Sequence, residues 1–202
     1  MAIVTADISL TLDGYGAGPN QRFEAPFGDL HDPDRLHAWM FDHEDENAAE
    51  VAAITEATAF IMGRNMFSPG RGEWDLAWKG WWGDDPPYHA PVFVLTHHER
   101  APLPMDGGTT FHFVTDGIAS ALAQAREAAG SGNVAIAGGA TTINQYLGAG
   151  LIDELRLHIA PFTGGSGGSR MFDGAPPLEL HAVAARATPH VVHLTYTRLD
   201  TR

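Results

Sequence analysis

The chain has 202 residues, a hydrophobic share of 44% and a formal net charge of −13. This composition predicts one domain with a substantial apolar core. The acidic balance disfavours general nucleic-acid binding but leaves room for one small anionic ligand. The sequence has no cysteine, which excludes disulfides, thiolate metal sites and cysteine nucleophiles. It shows neither signal-peptide pattern nor about 18 consecutive apolar residues, so we expect a cytoplasmic protein that does not span a membrane.

Strands and helices alternate along the chain. β-branched and alternating residues predict a strand at 3–12, and two helices follow at 33–42 and 46–57. The tryptophan-rich segment 68–90 is predicted to be irregular. The remaining predicted elements are strands at 58–63, 91–97, 109–115, 133–137 and 151–162, helices at 117–130 and 140–150, and two closing strands near 178–187 and 190–199. Because helices separate the middle strands, the pattern predicts one α/β domain over residues 1–202, with a mainly parallel central sheet and an antiparallel edge hairpin.

Two adjacent glycines, Gly138 and Gly139, stand between a predicted strand and a predicted helix. The first lets the backbone turn tightly, and the second removes a side chain that would block a ligand. The free N–H groups of the helix N-terminus suit a phosphate, and Thr141 and Thr142 add hydroxyl donors. The alternative is a tight turn with close helix–strand packing, which the dipeptide alone favours.

A second strand–glycine–turn pattern occurs in "FIMGRNMF", where Arg64 follows Gly63. An arginine beside a backbone anion site can hold a terminal phosphate with two hydrogen bonds, and the 2′-phosphate of NADP is such a group. The alternative for Arg64 is a solvated surface charge. Two such patterns at the expected carboxyl edge of a parallel sheet favour a dinucleotide, although neither is the GxGxxG fingerprint of a Rossmann domain.

Histidine and tryptophan are unusually placed. Of the 11 histidines, His190 and His193 fall on opposite faces of a predicted strand and His158 falls at the edge of the core, so we expect no metal site. Four of the five tryptophans lie in the irregular segment 68–90. They either pack over the sheet edge or a dimer seam, or form an aromatic wall for a flat heterocycle, and the sequence leaves both interpretations open.

Taken together, these segments resemble the dihydrofolate reductase superfamily, in the branch that includes the C-terminal reductase domain of the bifunctional riboflavin-biosynthesis deaminase/reductase. The resemblance rests on "ISLTLDGYGAG", "IMGRNMF", "PVFVLTHH" and, most specifically, "IAGGATTINQYLGAGLIDELRLHIAPFTGGSGGSRMFDG". It covers nearly the whole chain. It implies a dihydrofolate-reductase-like three-layer fold with helices on both faces of the sheet, and a homodimer formed through the sheet edge that includes the "LIDEL" strand.

The resemblance also implies NADPH as the cofactor, held by residues from four segments. Ile8, Ser9, Gly16 and Ala17 would border the nicotinamide, and Thr96, His97 and His98 would line the adenosine ribose. The phosphate-binding residues would be Gly63, Arg64, Asn65 and Met66 on the 2′-phosphate side and Gly138, Gly139, Ala140, Thr141 and Thr142 at the pyrophosphate, with Ala137 beside them.

By the same resemblance the reaction is hydride transfer to a small flat heterocycle, similar to that of 5-amino-6-(5-phosphoribosylamino)uracil reductase. Asp34 and Asp85 are the candidate catalytic acids, with a bound water as the alternative, and Trp82 and Tyr88 are the candidate substrate-binding residues. The sequence departs from this branch at Ala137, where the relatives usually carry a glutamate. Three alternatives therefore stay open: a dihydrofolate reductase, a general carbonyl or nitro reductase, and a non-catalytic NADP-binding homologue.

Overall fold

A computed structural model describes residues 2–198, which form eleven strands and five α-helices. The strands are β1 (Val4–Thr11), β2 (Tyr15–Ala17), β3 (Ala59–Gly63), β4 (Pro91–Leu95), β5 (Leu103–Pro104), β6 (Thr110–Val114), β7 (Val134–Gly138), β8 (Glu154–Ala160), β9 (Ser169–Arg170), β10 (Leu180–Ala187) and β11 (Val192–Arg198). The helices are α1 (Ala38–Phe41), α2 (Ala48–Thr55), α3 (Arg64–Phe67), α4 (Ile118–Ala129) and α5 (Ala140–Gly148).

Nine strands form one sheet in the order β10-β11-β8-β1-β7-β3-β4-β6-β5. The six strands from β8 to β6 in this order are parallel to their neighbours. The hairpin of β10 and β11 joins one edge antiparallel, and β5 joins the other edge antiparallel. The α/β architecture with a mainly parallel sheet and an antiparallel edge hairpin is therefore confirmed.

The sheet separates two apolar layers because successive strand residues point to opposite faces. Val134 and Ile136 of β7 pack with α4 and α5 on one face. Ala135, between them, packs on the other face with Phe67 of α3 and with tryptophans of the irregular segment. Helices thus cover both faces, as predicted, and the middle strands are buried on both sides, which explains their continuous apolar runs.

Two predicted helices differ from the observed ones. The helix expected at 33–42 is a 3₁₀ turn, Pro33–Leu36, followed by α1, because His37 between them has a non-helical backbone with φ −120° and ψ 10°. Leu36 and Trp39, which the helical spacing places on one face, are both fully buried. Helix α2 buries none of its residues, although the spacing of Val51 and Ile54 favours burial.

The edge of the sheet also differs from the prediction. The strand that begins within "LIDEL" is β8, and it lies between β1 and β11 inside the sheet. The prediction that this strand lies at the edge is wrong, because the closing hairpin covers it and leaves β10 as the edge strand. A two-stranded sheet of β2 and β9, which the sequence did not reveal, ties the loop after β1 to the glycine-rich segment before β9.

Every helix within residues 2–198 falls short of the length and apolarity needed to cross a membrane.

Helix α5 is anchored by a buried tyrosine, which gives the first prediction. The Tyr146 hydroxyl donates a 2.9 Å hydrogen bond to the carbonyl of Ile118 at the start of α4. We expect Tyr146→Phe to lower the free energy of unfolding by about 1 kcal/mol, because it removes this hydrogen bond between α5 and α4. Urea unfolding measures the change. The matched control, Tyr196→Phe on β11, should change stability by less than about 0.5 kcal/mol, and equal effects of the two changes would contradict the prediction.

Candidate functional site

The carboxyl ends of the central parallel strands bring the predicted cofactor residues together. Met62 pairs with Gly138 across β3 and β7, and Gly63 pairs with Leu95 across β3 and β4. The segments that follow these strands, 63–66, 96–98 and 138–142, therefore share one edge of the sheet. Ligands of open α/β sheets bind at this edge, so the structure assembles there what the sequence predicted from separate motifs.

Each of the two glycines in the β7–α5 connection has its own environment. Gly138 is buried and has φ +122°, which favours glycine. Gly139 is exposed and has φ −73°, a value that any residue adopts, and a Cβ added to it would meet no atom within 4 Å. The peptide bond between the two glycines is cis. Neither the packing nor the backbone conformation at Gly139 requires a glycine. The open space in front of this residue fits the approach of a ligand.

The N-terminus of α5 opens onto the same space. Thr142 and Ile143 both donate their amides to the carbonyl of Gly139, so the amides of Ala140 and Thr141 precede the first helical hydrogen bonds. Thr141 is exposed, and its hydroxyl lies 3.5 Å from that of Ser169. Thr142 is buried instead, and a Cβ on Gly63 would overlap its hydroxyl oxygen. Thr141 is therefore placed to donate to a ligand, whereas Thr142 packs α5 onto β3.

Arginines collect at the end of β3. The Arg64 guanidinium carbon lies 4.0 Å from the centre of the Trp74 ring. Its Nε is buried and has no hydrogen-bond partner among the described residues. Burial and the nearby charge of Arg71 lower the pKa of Arg64, and Arg100 also lies near Trp74, at 5.5 Å. The charges of Glu73, near Arg64, and of Asp75, near Arg100, oppose these pKa shifts, so the corner holds charges of both signs. An anion there would satisfy the unpaired Arg64 nitrogen.

The segment after β4 borders this arginine corner. Thr96 is buried, and its hydroxyl accepts the amide of His98 at 3.1 Å, which fixes a tight turn. The carbonyl of His98 accepts the Trp74 indole N–H at 2.8 Å, while the His97 side chain is exposed. Thr96 thus shapes the turn, and His97 and His98 lie beside the tryptophan that supports Arg64.

The loop after β1 closes the other end of the site. Asp13 accepts hydrogen bonds from the Thr11 hydroxyl and the Gly164 amide, and these bonds lower the pKa of Asp13 although burial opposes the shift. A Cβ on Gly16 would lie 3.3 Å from Ile8. The predicted nicotinamide-bordering residues Ile8, Ser9, Gly16 and Ala17 are therefore neighbours, and the glycine-rich segment is fastened over them through Asp13.

A buried polar network lies beneath the end of β1. Ser9 accepts a 3.0 Å hydrogen bond from the Trp39 indole, and the Trp39 ring packs against His158 with ring centres 4.5 Å apart and planes tilted by 32°. Asp7 lies 3.4 Å from both Arg156 and His158. Sequence reasoning gave His158 only a place at the core edge and missed Asp7. The polar positions of β1, which alternate with Ala6 and Leu10, were the available signal.

The structure separates Asp85 and the predicted substrate residues from the predicted cofactor segments, but it keeps Asp34 near one end of them. Asp34 is exposed on the turn Pro33–Leu36, which contacts β1 and whose Arg35 reaches Pro161 just beyond the end of β8, the neighbour of β1. Asp85 lies 3.7 Å from His89, just before β4 begins. Asp85 is thus at the amino ends of the strands, opposite the glycine pair, which corrects its grouping with the cofactor residues. The reason is the path of segment 68–90, which runs from the carboxyl end of β3 to the amino end of β4.

Trp82 and Tyr88 follow the same path. Their rings meet edge-on at 5.3 Å, and both contact Phe111. Burial raises the pKa of Tyr88 well above its usual range. These two side chains form part of the core, so the first interpretation of the aromatic segment holds for them. The aromatic residue beside the predicted cofactor segments is instead Trp74.

Comparison with known proteins points to one family. The family model described as the RibD C-terminal domain matches residues 2–194. A putative riboflavin biosynthesis protein from Shewanella sp. PV-4 superposes with a TM-score of 0.64 at 21% identity, covering 98% of this chain and 99% of that one. No curated protein matches the sequence significantly.

Two longer proteins share the fold. RibD of Acinetobacter baumannii aligns with a TM-score of 0.58 at 16% identity, covering 99% of this chain and 59% of its own. The diaminohydroxyphosphoribosylaminopyrimidine deaminase/5-amino-6-(5-phosphoribosylamino)uracil reductase of Thermotoga maritima aligns with a TM-score of 0.59 at 15% identity, covering 98% of this chain and 57% of its own. The chain spans only about three fifths of these two proteins, and at such identity the likeness shows the fold.

The network beneath β1 gives a pH prediction. Burial, reinforced by the neighbouring His158, lowers the pKa of His37 from 6.5 to about 4. The folded chain then binds fewer protons than the unfolded chain between these values, so stability falls as the pH falls through this window. We expect acidification from pH 7 to pH 5 to cost the wild type on the order of 1 kcal/mol more than His37→Phe, which keeps the ring contact with Phe27. Urea unfolding at both pH values measures this, and parallel losses would refute it.

Proposed function

The chain belongs to the RibD C-terminal domain family, and on that premise we propose that it is an NADPH-dependent reductase that transfers hydride to a small flat heterocycle. The family and the RibD-like neighbours support a reductase related to riboflavin biosynthesis. The choice of NADPH and the roles of individual residues are our proposal. The observation that carries it is the open space in front of Gly139, which the N-terminus of α5 and the arginine corner at Arg64 border at the carboxyl ends of the strands.

The residues at this edge fit an extended dinucleotide phosphate. In the proposal, the unpaired Arg64 Nε and the neighbouring Arg71 bind the terminal 2′-phosphate, and Trp74 holds the guanidinium in place. The free amides of Ala140 and Thr141 bind the pyrophosphate, because a helix N-terminus favours anions. The adenosine lies beside Thr96, His97 and His98, because β4, which these residues follow, is the neighbour of β3 in the sheet.

The cofactor supplies the hydride, and the chain supplies binding, orientation and exclusion of water. In the proposal Ile8, Ser9, Gly16 and Ala17 hold the nicotinamide ring at the end of β1, beneath the segment fastened by Asp13. Asp34, on the exposed turn near the ends of β1 and β8, or a bound water supplies the proton that completes the reduction, whereas Asp85 lies at the amino ends of the strands.

A second candidate function is a non-catalytic NADP-binding homologue. Ala137, directly before the glycine pair, offers only a methyl group where relatives usually carry a glutamate. Ala137 packs on the face of the sheet that also holds Met66 and Trp74, and the departure leaves Arg64 and the N-terminus of α5 unchanged. The two candidates therefore agree on cofactor binding and differ on turnover.

The first test of the proposal is a fluorescence titration with NADPH and, separately, NADH. We expect NADPH to bind with a clear preference, and Arg64→Ala to weaken NADPH binding about 10- to 100-fold, because charge-assisted hydrogen bonds contribute about 1.5–3 kcal/mol. Binding of NADH should hardly change. The matched control is Arg126→Ala, which removes an exposed arginine on α4 and should leave both affinities intact. Equal binding of both cofactors by the wild type would sink the role of Arg64.

A pair of glycine variants tests the open space. Gly139→Ala should leave the thermal midpoint within about 2 °C of wild type, because its Cβ meets nothing, yet it should weaken NADPH binding at least about tenfold by occupying the approach to α5. Gly63→Ala should instead lower stability by about 1–3 kcal/mol, because its Cβ overlaps the Thr142 hydroxyl. Normal NADPH affinity in Gly139→Ala would show that the cofactor passes elsewhere.

Turnover separates the two candidates. With saturating NADPH, the absorbance of NADPH is followed after addition of 5-amino-6-(5-phosphoribosylamino)uracil, dihydrofolate or a quinone. A loss of this absorbance with one of them identifies the reductase and its substrate class. NADPH bound tightly but oxidised with none of these compounds would favour the non-catalytic homologue.

A further inference from the structure

A row of polar side chains crosses four strands on one face of the sheet. Ser9 of β1 pairs with His158 of β8, His158 with His193 of β11, and His193 with Arg186 of β10. Ser9, His158 and His193 are all buried, with exposures of 6%, 2% and 5%. None of these residues is needed to bind the cofactor phosphates, so the row calls for its own explanation.

The outer end of the row has a fixed hydrogen-bond direction. Asn47 donates both amide hydrogens to carbonyls, to that of Trp39 at 3.0 Å and to that of His43 at 2.8 Å. Its Oδ1 therefore faces Arg186 Nη2 and His193 Nε2, each at 2.9 Å. Since Oδ1 only accepts, His193 Nε2 must carry a proton.

The inner end has a fixed direction as well. Asp7 Oδ1 lies 3.4 Å from His158 Nε2, and an ionised carboxylate only accepts, so this nitrogen also carries a proton. Between the two rings, His158 Nδ1 and His193 Nδ1 are 2.7 Å apart. A contact this short between two nitrogens needs one proton between them. With none, two lone pairs face each other, and with two, the protons collide.

The three contacts together require three ring protons, one more than two neutral imidazoles carry. We propose that His158 and His193 share a single extra proton, so that a buried imidazolium–carboxylate pair with Asp7 holds Trp39 and, through it, Ser9 at the end of β1.

The surrounding charges agree with one positive charge on the pair. Arg156 of β8 is paired with Glu154 at 2.7 Å, and Arg186 of β10 is paired with Glu50 of α2 at 2.7 Å. His37, which faces the pair from the turn before α1, has a pKa lowered to about 4 and is neutral at pH 7. Asp7 of β1 shares Arg156 with Glu154, so a positive charge on His158 balances the carboxylate that this sharing leaves over.

The same surroundings place the charge on His158 and leave His193 neutral. His158 faces the Asp7 carboxylate, whereas His193 faces the side occupied by Arg186. Burial and then the charge of His158 lower the pKa of His193 to about 4. A cationic His158 ring also suits its contact with the Trp39 ring, whose centre lies 4.5 Å away, because the face of an indole attracts cations. Trp39 in turn donates to the Ser9 hydroxyl.

The consequence is a pH-dependent support for the end of β1. When the pair loses its shared proton, one of the three contacts becomes a repulsive contact between lone pairs, and the two groups that form this contact have to move apart. Trp39 lies on both rings, with its centre 4.5 Å from that of His158 and 5.0 Å from that of His193. That movement changes the Trp39–Ser9 hydrogen bond. Its relevance to nicotinamide binding rests on the proposed function, but the protonation state does not.

Imidazole ¹⁵N spectra of the wild-type protein without cofactor test the inference. At pH 7.5 we expect one buried ring with two protonated nitrogens, His158, and one neutral ring protonated at Nε2, His193. The variants His158→Gln and His193→Gln assign the two rings. Two neutral rings at pH 7.5, or two charged rings, would overturn the proposal.

Two further measurements test the partners of the shared proton. Asp7→Asn should move the pH at which the pair deprotonates down by about 1–3 units, because it removes the opposing charge, and an unchanged midpoint would contradict the proposal. If this variant does not fold, the wild-type spectrum still decides the protonation state.

The Trp39 indole N–H resonance, assigned with Ser9→Ala, should shift in the wild type at the pH midpoint at which the pair deprotonates. A resonance that stays still through that midpoint would refute the coupling to Ser9. Since no cofactor is present, these outcomes are independent of NADPH binding.

Discussion

The structure depends on the opposite chemistry of the two faces of β1, the strand between β7 and β8. Ala6 and Leu10 point into the layer of α4 and α5, and Asp7 and Ser9 point to the other face. Burying an unpaired carboxylate in the middle of a sheet costs several kcal/mol, so Asp7 requires partners that reach it from the neighbouring strand. Arg156 and His158 supply them from β8. The polar face of β1 therefore constrains β8, and through His193 it also constrains the closing hairpin.

The same strand links the buried network to the open edge of the sheet. Asp7 and Ser9 belong to the network. Only a few positions later, Asp13 holds the glycine-rich segment by accepting a hydrogen bond from the amide of Gly164. On the other side of β1, β7 delivers the glycine pair to the start of α5. A displacement of β1 would alter both neighbours at once. The rigid core thus holds the two halves of the proposed cofactor site in a fixed relation, which a preorganised binding site requires.

The glycine motifs were accessible to sequence reasoning because their meaning is local. A buried strand, a glycine and a helical turn are consecutive in the chain at both Gly63 and Gly138, so the change from strand to helix periodicity locates the carboxyl edge. Parallel pairing then brings the two motifs together without further information. The same logic predicted the parallel sheet and the closing hairpin.

What the sequence did not reveal depends on contacts between distant segments. The family resemblance made Asp85 a candidate catalytic acid, but the path of the irregular segment carries it to the amino ends of the strands. The shared contact of His158 and His193 joins positions 35 residues apart, and it exists because β11 folds back on β8 in one register. A shift of β11 by one residue would turn His193 to the opposite face and leave His158 facing an apolar neighbour. The register of the hairpin, which no local pattern reports, is therefore what turns two unremarkable histidines into one buried, charged pair.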